Sequence, residues 1–387
     1  MRKICVVTGT RAEYGLLSRL MRIVKGGNQT RLQVIATNMH LSPQYGYTCQ
    51  EIENDGFTID KKIPILEDGK DDANATVNAM ARALVGFSAA YLELKPDIVV
   101  VLGDRFEIMA AVMAAHISRI PIAHIHGGEI TEGAYDDAIR HCITKMSHLH
   151  FTSTETYRNR VIQLGEQPDR VFCVGALGVE NIKKLPLMER GEIESSLGII
   201  IDEKTILVTY HPVTLGEHSA TEDINVLLQV LEEWPDLRII FTMPNSDTGA
   251  SAIAQAIHSF VTRHPERASS FKSLGILRYL SVMKYSGAVV GNSSSGILEA
   301  PSLGIPSLNI GDRQKGRVAA DSVCNCDVDR MSISKGLGTV LSPAFKTLAR
   351  EVKNPYEKEG TAQAIYDILC NYPLEQLHQK HFHDIQI

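Results

Sequence analysis

Short runs of apolar, often β-branched residues alternate along the chain with longer segments that have helical spacing or composition. Residues 98–102 and 120–125 are two such runs, and the segment between them, 106–117, has the length and the alanine and methionine content of a helix. Unbroken apolar runs are typical of strands buried on both faces of a parallel sheet. The pattern therefore predicts a strand, a helix and a second, parallel strand.

The same rhythm continues on both sides of this unit. With the two runs above, the predicted strands are residues 4–7, 33–37, 98–102, 120–125, 148–151, 170–174, 204–210, 237–242, 288–291 and 305–310. Strands that alternate with helices form α/β domains, and a chain of 387 residues is too long for a single core. We therefore predict an α/β fold of two doubly wound, Rossmann-like domains, residues 1–178 and 179–362, facing each other across a cleft.

Charge and composition indicate which classes of partner the protein binds and in which cellular compartment it lies. The net charge of −6 is spread along the chain without a basic block, and no apolar stretch approaches the roughly 20 residues of a membrane helix. The first residues hold too short an apolar run for a signal peptide, and the seven cysteines show no CxxC pair. We expect a cytoplasmic protein with reduced thiols that binds neither nucleic acid nor membranes.

Acidic and basic side chains gather at two predicted strand ends and at the start of the helix that follows. The carboxyl ends of parallel strands border the crevice in which ligands bind, so these side chains form a candidate reaction site. Its members are Asp104 and Arg105 after the strand 98–102, His126 and Glu129 after the strand 120–125, and Asp136 and Arg140 in the helix 134–146. Exposed ion pairs within one helix are the alternative explanation for the last two, and we favour a site.

Two more strand ends in the first half carry possible ligand groups. Arg11 ends the sequence Thr8-Gly9-Thr10-Arg11, where a glycine turn and a helix start favour an anion that the guanidinium could bind. A surface arginine is the alternative. His40 follows the strand 33–37 and either contacts a ligand or forms hydrogen bonds within its loop. The Arg11 motif is neither G-x-G-x-x-G nor a Walker loop, so nicotinamide and ATP sites lose their main support.

Small and hydroxylated residues mark a phosphate site in the second half. Ser293 and Ser294 follow the strand 288–291 and precede a short helix, whose free amides favour a phosphate. Glu299 in that helix could accept hydrogen bonds from a ribose diol. Neighbouring strand ends add His211, Asn245 and Arg313. A helix cap needs only one serine, so we favour a diphosphate site.

Together these sets suit a nucleotide-sugar enzyme, and at this point the chain resembles a known family. The segments that carry the resemblance are residues 8–14 (TGTRAEY), 103–105 (GDR), 124–129 (HIHGGE), 136–141 (DDAIRH), 211–214 (HPVT), 291–296 (GNSSSG) and 313–317 (RQKGR). They look like those of the hydrolysing UDP-N-acetylglucosamine 2-epimerases of sialic-acid and legionaminic-acid biosynthesis. The resemblance implies a glycosyltransferase-B-type fold whose final helix, residues 363–387, returns to the N-terminal domain. We expect a homodimer without a cofactor or a bound metal.

The chemistry that the resemblance implies is loss of the C2 proton with expulsion of UDP, followed by hydration of a 2-acetamidoglucal with C2 inverted. This reaction needs a base, an acid on the opposite face and cations for the departing UDP. By resemblance, Asp104, His126 and Asp136 transfer protons, and His211 assists. Arg11, Ser293, Ser294 and Arg313 would bind the phosphates and Glu299 the ribose, while further contacts with the UDP-sugar fall to His40, Arg105, Glu129, Arg140 and Asn245.

His126 stands where sialic-acid members of the family more often carry glutamate. Imidazole also moves protons near neutrality, so activity is compatible with the histidine. The difference points to UDP-N,N′-diacetylbacillosamine as an alternative to UDP-N-acetylglucosamine, and the substrate stays open between the two.

Three other classes of protein compete with this interpretation. A glycosyltransferase shares the fold and the nucleotide site, but it needs an acceptor site rather than facing proton-transfer groups. A metallohydrolase could use His124, His126 and Glu129, although alternate strand residues share a face for packing reasons too. A non-catalytic binding protein of clamshell form would normally carry an export signal, and we find none.

Overall fold

The computed structural model describes residues 1–67, 69–70, 72–131, 135–213, 220–244, 249–377 and 379–385. Within them the strands are β1 (Arg2–Thr8), β2 (Thr30–Thr37), β3 (Lys61–Ile63), β4 (Ile98–Leu102), β5 (Ile122–Ile125), β6 (Leu149–Thr152), β7 (Val171–Cys173), β8 (Thr205–Thr209), β9 (Arg238–Thr242), β10 (Ala268–Phe271), β11 (Ala288–Gly291), β12 (Ser307–Ile310) and β13 (Val323–Cys326). The helices are α1 (Arg11–Gly26), α2 (Cys49–Asn54), α3 (Ala73–Leu94), α4 (Phe106–Ile117), α5 (Asp136–Met146), α6 (Glu155–Gln163), α7 (Leu177–Lys184), α8 (Arg190–Leu197), α9 (Ala220–Glu232), α10 (Ala250–Arg263), α11 (Gly275–Tyr285), α12 (Ser295–Leu298), α13 (Arg330–Val340), α14 (Pro343–Glu351) and α15 (Thr361–Asn371). No helix in these ranges combines the length and the apolar character needed to cross a membrane.

The first of two compact units combines Met1–Glu129 and Asp136–Glu180 with the chain from Lys358 onward. Its sheet, over the described ranges, is fully parallel with the strand order β3-β2-β1-β4-β5-β6-β7. The chain winds outward from the centre in both directions, so the order reverses between β1 and β4. The carboxyl ends of these two strands border the position where doubly wound sheets bind ligands.

Both faces of this sheet are covered, which explains the unbroken apolar runs. Along β1, Ile4 and Val6 enter a core with α1 and α15, whereas Cys5 and Val7 enter a second core with α3 and α4. All four side chains are fully buried. Successive strand residues point to opposite faces, so a strand between two helical layers must be apolar throughout.

The last helix completes the first of these cores. Ala362, Ile365 and Leu369 of α15 are fully buried in the same cluster as Leu17 of α1. Glu180 holds the start of α15, because its Oε2 accepts a hydrogen bond from the amide of Ala362 at 2.7 Å. The first unit is therefore closed by the far end of the chain.

The second unit comprises Asn181–Glu357 and the short segment Ile130–Tyr135. Its described strands are again all parallel, in the order β10-β9-β8-β11-β12-β13. Ile206 and Val208 of β8 pack in a core with α9, α10 and α13, and Leu207 packs on the other face with α11. Here the strand order reverses between β8 and β11, which makes their carboxyl ends a second candidate ligand position.

Candidate functional site

A buried network of charged groups lies where β4 and β5 end and α5 passes. Arg140 of α5 has a side chain that is only 3% exposed, and its Nη2 forms an ion pair with Asp104. Its Nη1 lies 3.5 Å from Glu129 Oε2 and donates to the backbone oxygen of His126 at 3.1 Å. One guanidinium therefore joins three of the other predicted site residues.

His126 occupies the left-handed backbone region, with φ +67°, in the turn after β5. Its side chain is 6% exposed, and its Nδ1 lies 3.0 Å from Glu129 Oε1. Ser153 Oγ donates to that same glutamate oxygen at 2.9 Å. Among the residues that the structure describes, Nε2 of His126 has no hydrogen-bond partner. Because buried polar atoms are normally paired, this nitrogen is a candidate for contact with a ligand.

Asp136 is buried at the first position of α5, one turn before Arg140. Asp137, in the same first turn, forms a more exposed pair with His141 one turn later, 3.6 Å away. Arg140 reaches outside its own helix to Asp104 and Glu129, which goes beyond the exposed intrahelical pairing that the sequence left as the alternative explanation.

Arg11 and His40 both lie near the carboxyl end of β1, and each has protein partners of its own. Arg11 Nε forms an ion pair with Glu51 at 2.6 Å, and the arginine side chain is 15% exposed. His40 is fully buried, with Nε2 3.0 Å from Thr8 Oγ1 and Nδ1 2.8 Å from Thr48 Oγ1. Burial lowers the pKa of His40 to about 4, so the ring is neutral near pH 7.

Arg105 belongs to a second buried group, part of which the sequence analysis missed. Its Nε donates to Glu107 Oε1 at 2.8 Å, and a Cβ on Gly9 would lie 2.4 Å from that oxygen. Glu13 accepts a hydrogen bond from the Gly9 amide at 2.7 Å, and burial together with the neighbouring Glu107 raises the pKa of Glu13 to about 8. Thr10 and Glu13 form a capping box that could have been predicted from their spacing. Nothing in the sequence marks Glu107.

In the second unit, Asn292 joins the ends of β8 and β11. Its Oδ1 accepts from the His211 amide at 2.7 Å, and its Nδ2 donates to the His211 carbonyl at 2.8 Å. The backbone oxygen of Asn292 accepts from Arg313 Nη1 at 3.2 Å and from Gln314 Nε2 at 2.8 Å. His211 and Arg313 are thereby brought together. Asn292 and Gln314 lie in two of the seven sequence motifs, but they are not among the predicted site residues.

The serine turn after β11 is tied together by its own hydroxyls. Ser293 Oγ accepts from the amide of Ser295 at 3.4 Å and lies 3.2 Å from its hydroxyl, which is also 2.5 Å from the Tyr279 hydroxyl. Ser294 precedes the four-residue helix α12, and the buried Glu299 follows directly after it. Glu299 therefore stands just past this helix rather than inside it.

The predicted residues thus form two groups, one in each unit. Asp104, His126, Glu129 and Arg140 share one network, with Asp136 one turn away, while Arg11, His40 and Arg105 occupy the neighbouring strand ends with partners of their own. His211, Arg313, Ser293, Ser294 and Glu299 lie in the loops around Asn292. Asn245 lies outside the described residues.

His124 bears on the metal-site alternative. Its Nε2 donates to the Gly103 carbonyl at 2.8 Å, and its Nδ1 lies 3.1 Å from Thr144 Oγ1. Burial lowers its pKa to about 3. Both ring nitrogens are engaged, and no cluster of three His, Cys, Asp or Glu side chains in the described part of the chain could hold a metal ion.

Comparison with known proteins decides the family. The family model described as UDP-N-acetylglucosamine 2-epimerase matches residues 23–370, most of the chain. The chain belongs to this epimerase family. The resemblance seen in the sequence motifs is thereby confirmed.

Two relatives within the epimerase family are similar over most of their length. The chain is 42% identical over 328 residues to the Campylobacter jejuni "GDP/UDP-N,N′-diacetylbacillosamine 2-epimerase (hydrolyzing)", covering 85% of each protein. It is 39% identical over 364 residues to the Escherichia coli "polysialic acid biosynthesis protein P7", covering 93% of this chain and 91% of that one. The name of the first relative describes a hydrolysing enzyme.

A solved epimerase structure shares the fold. The crystal structure of UDP-GlcNAc 2-epimerase from Neisseria meningitidis bound to UDP-GlcNAc matches with a TM-score of 0.79 at 18% identity, covering 95% of this chain and 99% of that one. The predicted fold class, two doubly wound domains of glycosyltransferase-B type, is confirmed.

Proposed function

We propose that this epimerase is hydrolysing and converts UDP-N-acetylglucosamine and water to N-acetylmannosamine and UDP through a 2-acetamidoglucal. The observation that carries the proposal is the buried network of Asp104, Arg140, Glu129 and His126 at the strand ends of the first unit. It supplies carboxylates, a fixed cation and an imidazole nitrogen without a described protein partner. Proton removal and return at a sugar carbon need groups of this kind.

The reaction divides into an elimination and a hydration. In the first step a base removes the proton from C2, the C2–H electron pair forms the C1–C2 double bond, and UDP leaves with the C1–O bonding pair. In the second step an acid protonates C2 on the opposite face, the hydroxyl of water adds at C1, and the remaining proton of that water returns to the acid. Asp104, His126 and Asp136 are the residues we assign to these proton transfers.

The second unit supplies the groups we assign to the nucleotide. Ser293 and Ser294 offer donors to the diphosphate, Arg313 offers a cation held beside them through Asn292, and Glu299 offers a carboxylate to the ribose. His211 is fixed at the same place and would assist the departure of UDP. Arg11 is a further residue that we assign to the phosphates.

Of the five residues expected to contact the UDP-sugar, four take narrower roles in this proposal. Arg140 holds Asp104 and Glu129 in place, and Arg105 holds Glu107. His40 stabilises the turn before α1 through Thr8 and Thr48. Glu129 acts beside His126, and Asn245 keeps its expected contact with the sugar nucleotide.

UDP-N,N′-diacetylbacillosamine is a second candidate substrate. The relative from Campylobacter jejuni carries that sugar in its name and is 42% identical. The same groups would act at C1 and C2, because the two sugars differ in the substituents at C4 and C6.

The test is incubation of the protein with each UDP-sugar in deuterated water, without an acceptor. We expect release of UDP and of a free 2-epimeric sugar that carries deuterium at C2, measured by proton NMR. Protium retained at C2 would contradict the proposal, and turnover that requires an acceptor would indicate a glycosyltransferase.

Two variants at opposite ends of β4 provide the control. Asp104→Asn at the carboxyl end should lower kcat at least roughly 100-fold, because a positioned acid or base contributes about that much. Asp97→Asn at the amino end removes an exposed carboxylate that accepts from the Lys3 amide at 2.7 Å, and it should leave kcat unchanged. Equal activity of both variants would remove Asp104 from the mechanism.

A further inference from the structure

Glu129 and His126 form a buried pair that the assignment of Glu129 to substrate binding does not explain. Their side chains are 1% and 6% exposed, and Glu129 Oε1 lies 3.0 Å from Nδ1 of the imidazole. The opposite ring nitrogen, Nε2, is buried and has no hydrogen-bond partner in the described part of the chain. Glu129 therefore binds Nδ1 of the imidazole, and Nε2 is left for a contact with a different group.

The surroundings of Glu129 determine which nitrogen carries the proton. Oε1 accepts from Ser153 Oγ at 2.9 Å, and Oε2 lies 3.5 Å from the Arg140 guanidinium. Both neighbours face Glu129 as donors, as they would an ionised carboxylate, which can only accept hydrogen bonds; Nδ1 of His126 is then the donor in this pair. A neutral imidazole has one N–H, and Nε2 then carries the lone pair.

We propose that Glu129 is a positioning residue that holds His126 in the Nδ1–H tautomer, and that Nε2 of His126 is the base that removes the C2 proton of the UDP-sugar. The inference rests on the proposed function, which it deepens by naming the base and its partner. Asp104 is the weaker candidate for this step, because its carboxylate is already engaged by Arg140.

The protons and electrons of the step balance within these groups. Nε2 takes the C2 proton while the C2–H electron pair becomes the C1–C2 double bond and UDP departs with the C1–O pair. The imidazolium that forms is stabilised by Glu129 through the Nδ1 hydrogen bond. The proton that returns to the other face of C2 comes from a second acid, for which Asp104 and Asp136 are the candidates. The hydroxyl of water adds at C1, the remaining proton of that water regenerates the second acid, and His126 releases its own proton to solvent.

The backbone supports the same assignment. His126 is a non-glycine residue with φ +67°, a conformation that costs free energy and persists only where its surroundings enforce it. Arg140 Nη1 donates to its carbonyl at 3.1 Å, so the cation that faces Glu129 also fixes the turn that carries the imidazole. Ring and backbone are thus held by one network.

A double-mutant cycle tests the proposal. Glu129→Gln keeps the side-chain shape but replaces the anionic acceptor, and we expect kcat for UDP release to fall roughly 10- to 100-fold with KM changed less than about threefold. If Glu129 acts through His126, Glu129→Gln should have no further effect on kcat in a His126→Ala background. Added imidazole should restore part of the activity of His126→Ala.

Asp137→Asn provides the matched control, because Asp137 faces His141 in a partly exposed pair on the same helix. This variant should retain the kcat of the unmodified protein. A kcat loss from Glu129→Gln that is as large without His126 as with it would overturn the proposal, as would full activity of Glu129→Gln.

Nitrogen NMR of the histidine rings separates this proposal from the proposed function. In protein labelled with ¹⁵N-histidine, with the ring signals of His126 assigned through His126→Ala, we expect a proton on Nδ1 that shifts toward Nε2 in Glu129→Gln. A proton on Nε2 in the unmodified protein would overturn the inference even if the enzyme is active. Absence of UDP release from both UDP-sugars would instead contradict the proposed function.

Discussion

His40 and His124 show how burial decides the state of a single residue. Both are fully buried in the first unit, and burial lowers the pKa of His40 to about 4 and that of His124 to about 3. The ring nitrogens of His124 hold the carbonyl that precedes Asp104 and a hydroxyl of the helix that carries Arg140. A charged ring at His124 would have to donate its second proton to Thr144 Oγ1.

This burial makes stability depend on pH in a predictable direction. An exposed histidine in the unfolded chain has a pKa near 6.5. Below that pH, His124 of the unfolded chain is protonated, whereas His124 of the folded protein stays neutral down to about pH 3. The free energy of unfolding should therefore fall as the pH decreases from 6.5, by about 1.4 kcal/mol per pH unit for this residue. His124→Gln should remove that share of the slope between pH 6.5 and 4.5 in urea unfolding. The control is His258→Gln, which replaces an exposed histidine and should leave the slope unchanged. Equal slopes for His124→Gln and the unmodified protein would contradict the prediction.

Gly291 shows the opposite case, where the absence of a side chain is required. It has φ +130°, and a Cβ there would lie 2.0 Å from the backbone oxygen of Thr209 on the neighbouring strand. Gly291→Ala should lower the free energy of unfolding by at least about 2 kcal/mol, measured by urea denaturation. Gly338→Ala on the exposed side of α13 is the control and should stabilise by about 0.5–1 kcal/mol, because it meets nothing closer than 4.0 Å. Equal stability of the two variants would show that the turn after β11 can shift.

At the residue scale, the motifs predicted where polar groups gather but not how they pair. The glycine-terminated strand ends of Asp104 and His126 could be located because strand ends in parallel sheets converge. The ion pair of Arg140 with Asp104 could not be predicted, because the nearer Asp136 and Asp137 offered partners at helical spacing. Pairing of this kind depends on where α5 crosses the sheet, and local spacing carries no information about that crossing.

At the scale of elements, the three strands that the pattern missed are all at sheet edges. They are β3, β10 and β13, and each is three or four residues long with polar residues among its members. Central strands are buried on both faces and therefore show unbroken apolar runs, whereas edge strands need no such run. The long central elements matched closely, and β4, α4 and β11 have the predicted bounds.

The tail after α15 is held by several contacts, among them the His383 amide on the Gly165 carbonyl and the partly buried side chain of Lys380. Lys380 Nζ donates to Glu166 Oε2 and to the Lys145 carbonyl, each at 2.7 Å. Burial alone would raise the pKa of Glu166, but the hydrogen bond from His150 and the charges of Lys380 and Lys145 outweigh it and lower the pKa to about 2. Glu166 is therefore a carboxylate at neutral pH, and Lys380 anchors the tail to it.

Lys380→Ala should weaken this anchor measurably. We expect a loss of about 2 kcal/mol in the free energy of unfolding, because the buried carboxylate of Glu166 loses Lys380 while Lys145 and His150 remain paired with it. Hydrogen exchange of residues 379–385 should accelerate. Lys70→Ala breaks the exposed pair of Lys70 with Glu67, 2.9 Å apart, and should cost less than about 0.5 kcal/mol. Unchanged exchange in the tail of Lys380→Ala would refute the anchoring role.

At the scale of the whole molecule, the two units differ in how the chain builds them. The second is almost continuous, Asn181–Glu357, with a sheet and two cores of its own. The first needs the last helix, whose Ile365 and Leu369 are buried with Leu17 of α1. Apolar periodicity predicts that one face of α15 is buried. It does not predict that this face packs against α1, because that contact depends on the topology of the whole chain.

This difference predicts how fragments behave. Ile365, Leu369, Leu374 and Leu377 are buried in the first core, and each contributes about 1.5–3 kcal/mol, so their removal costs roughly 6–12 kcal/mol, as much as a typical domain's total stability. Residues 1–180 alone should therefore lack a cooperative urea transition. Joining them to residues 358–387 through a short glycine–serine linker should restore it, because Glu180 already binds the Ala362 amide.

The second unit is the control for this prediction, because it does not depend on the last helix. Residues 181–357 alone should unfold cooperatively and give a dispersed amide NMR spectrum, since every member of their two cores lies within them. Residues 1–180 also lose the contact of Ile130 with Arg317, but none of the described residues of that segment belongs to either core of the first unit. A cooperative transition of residues 1–180 at the same midpoint as the linked form would mean that α15 packs on a core that is already complete, and the last helix would then be an accessory of the first unit instead of its closing element.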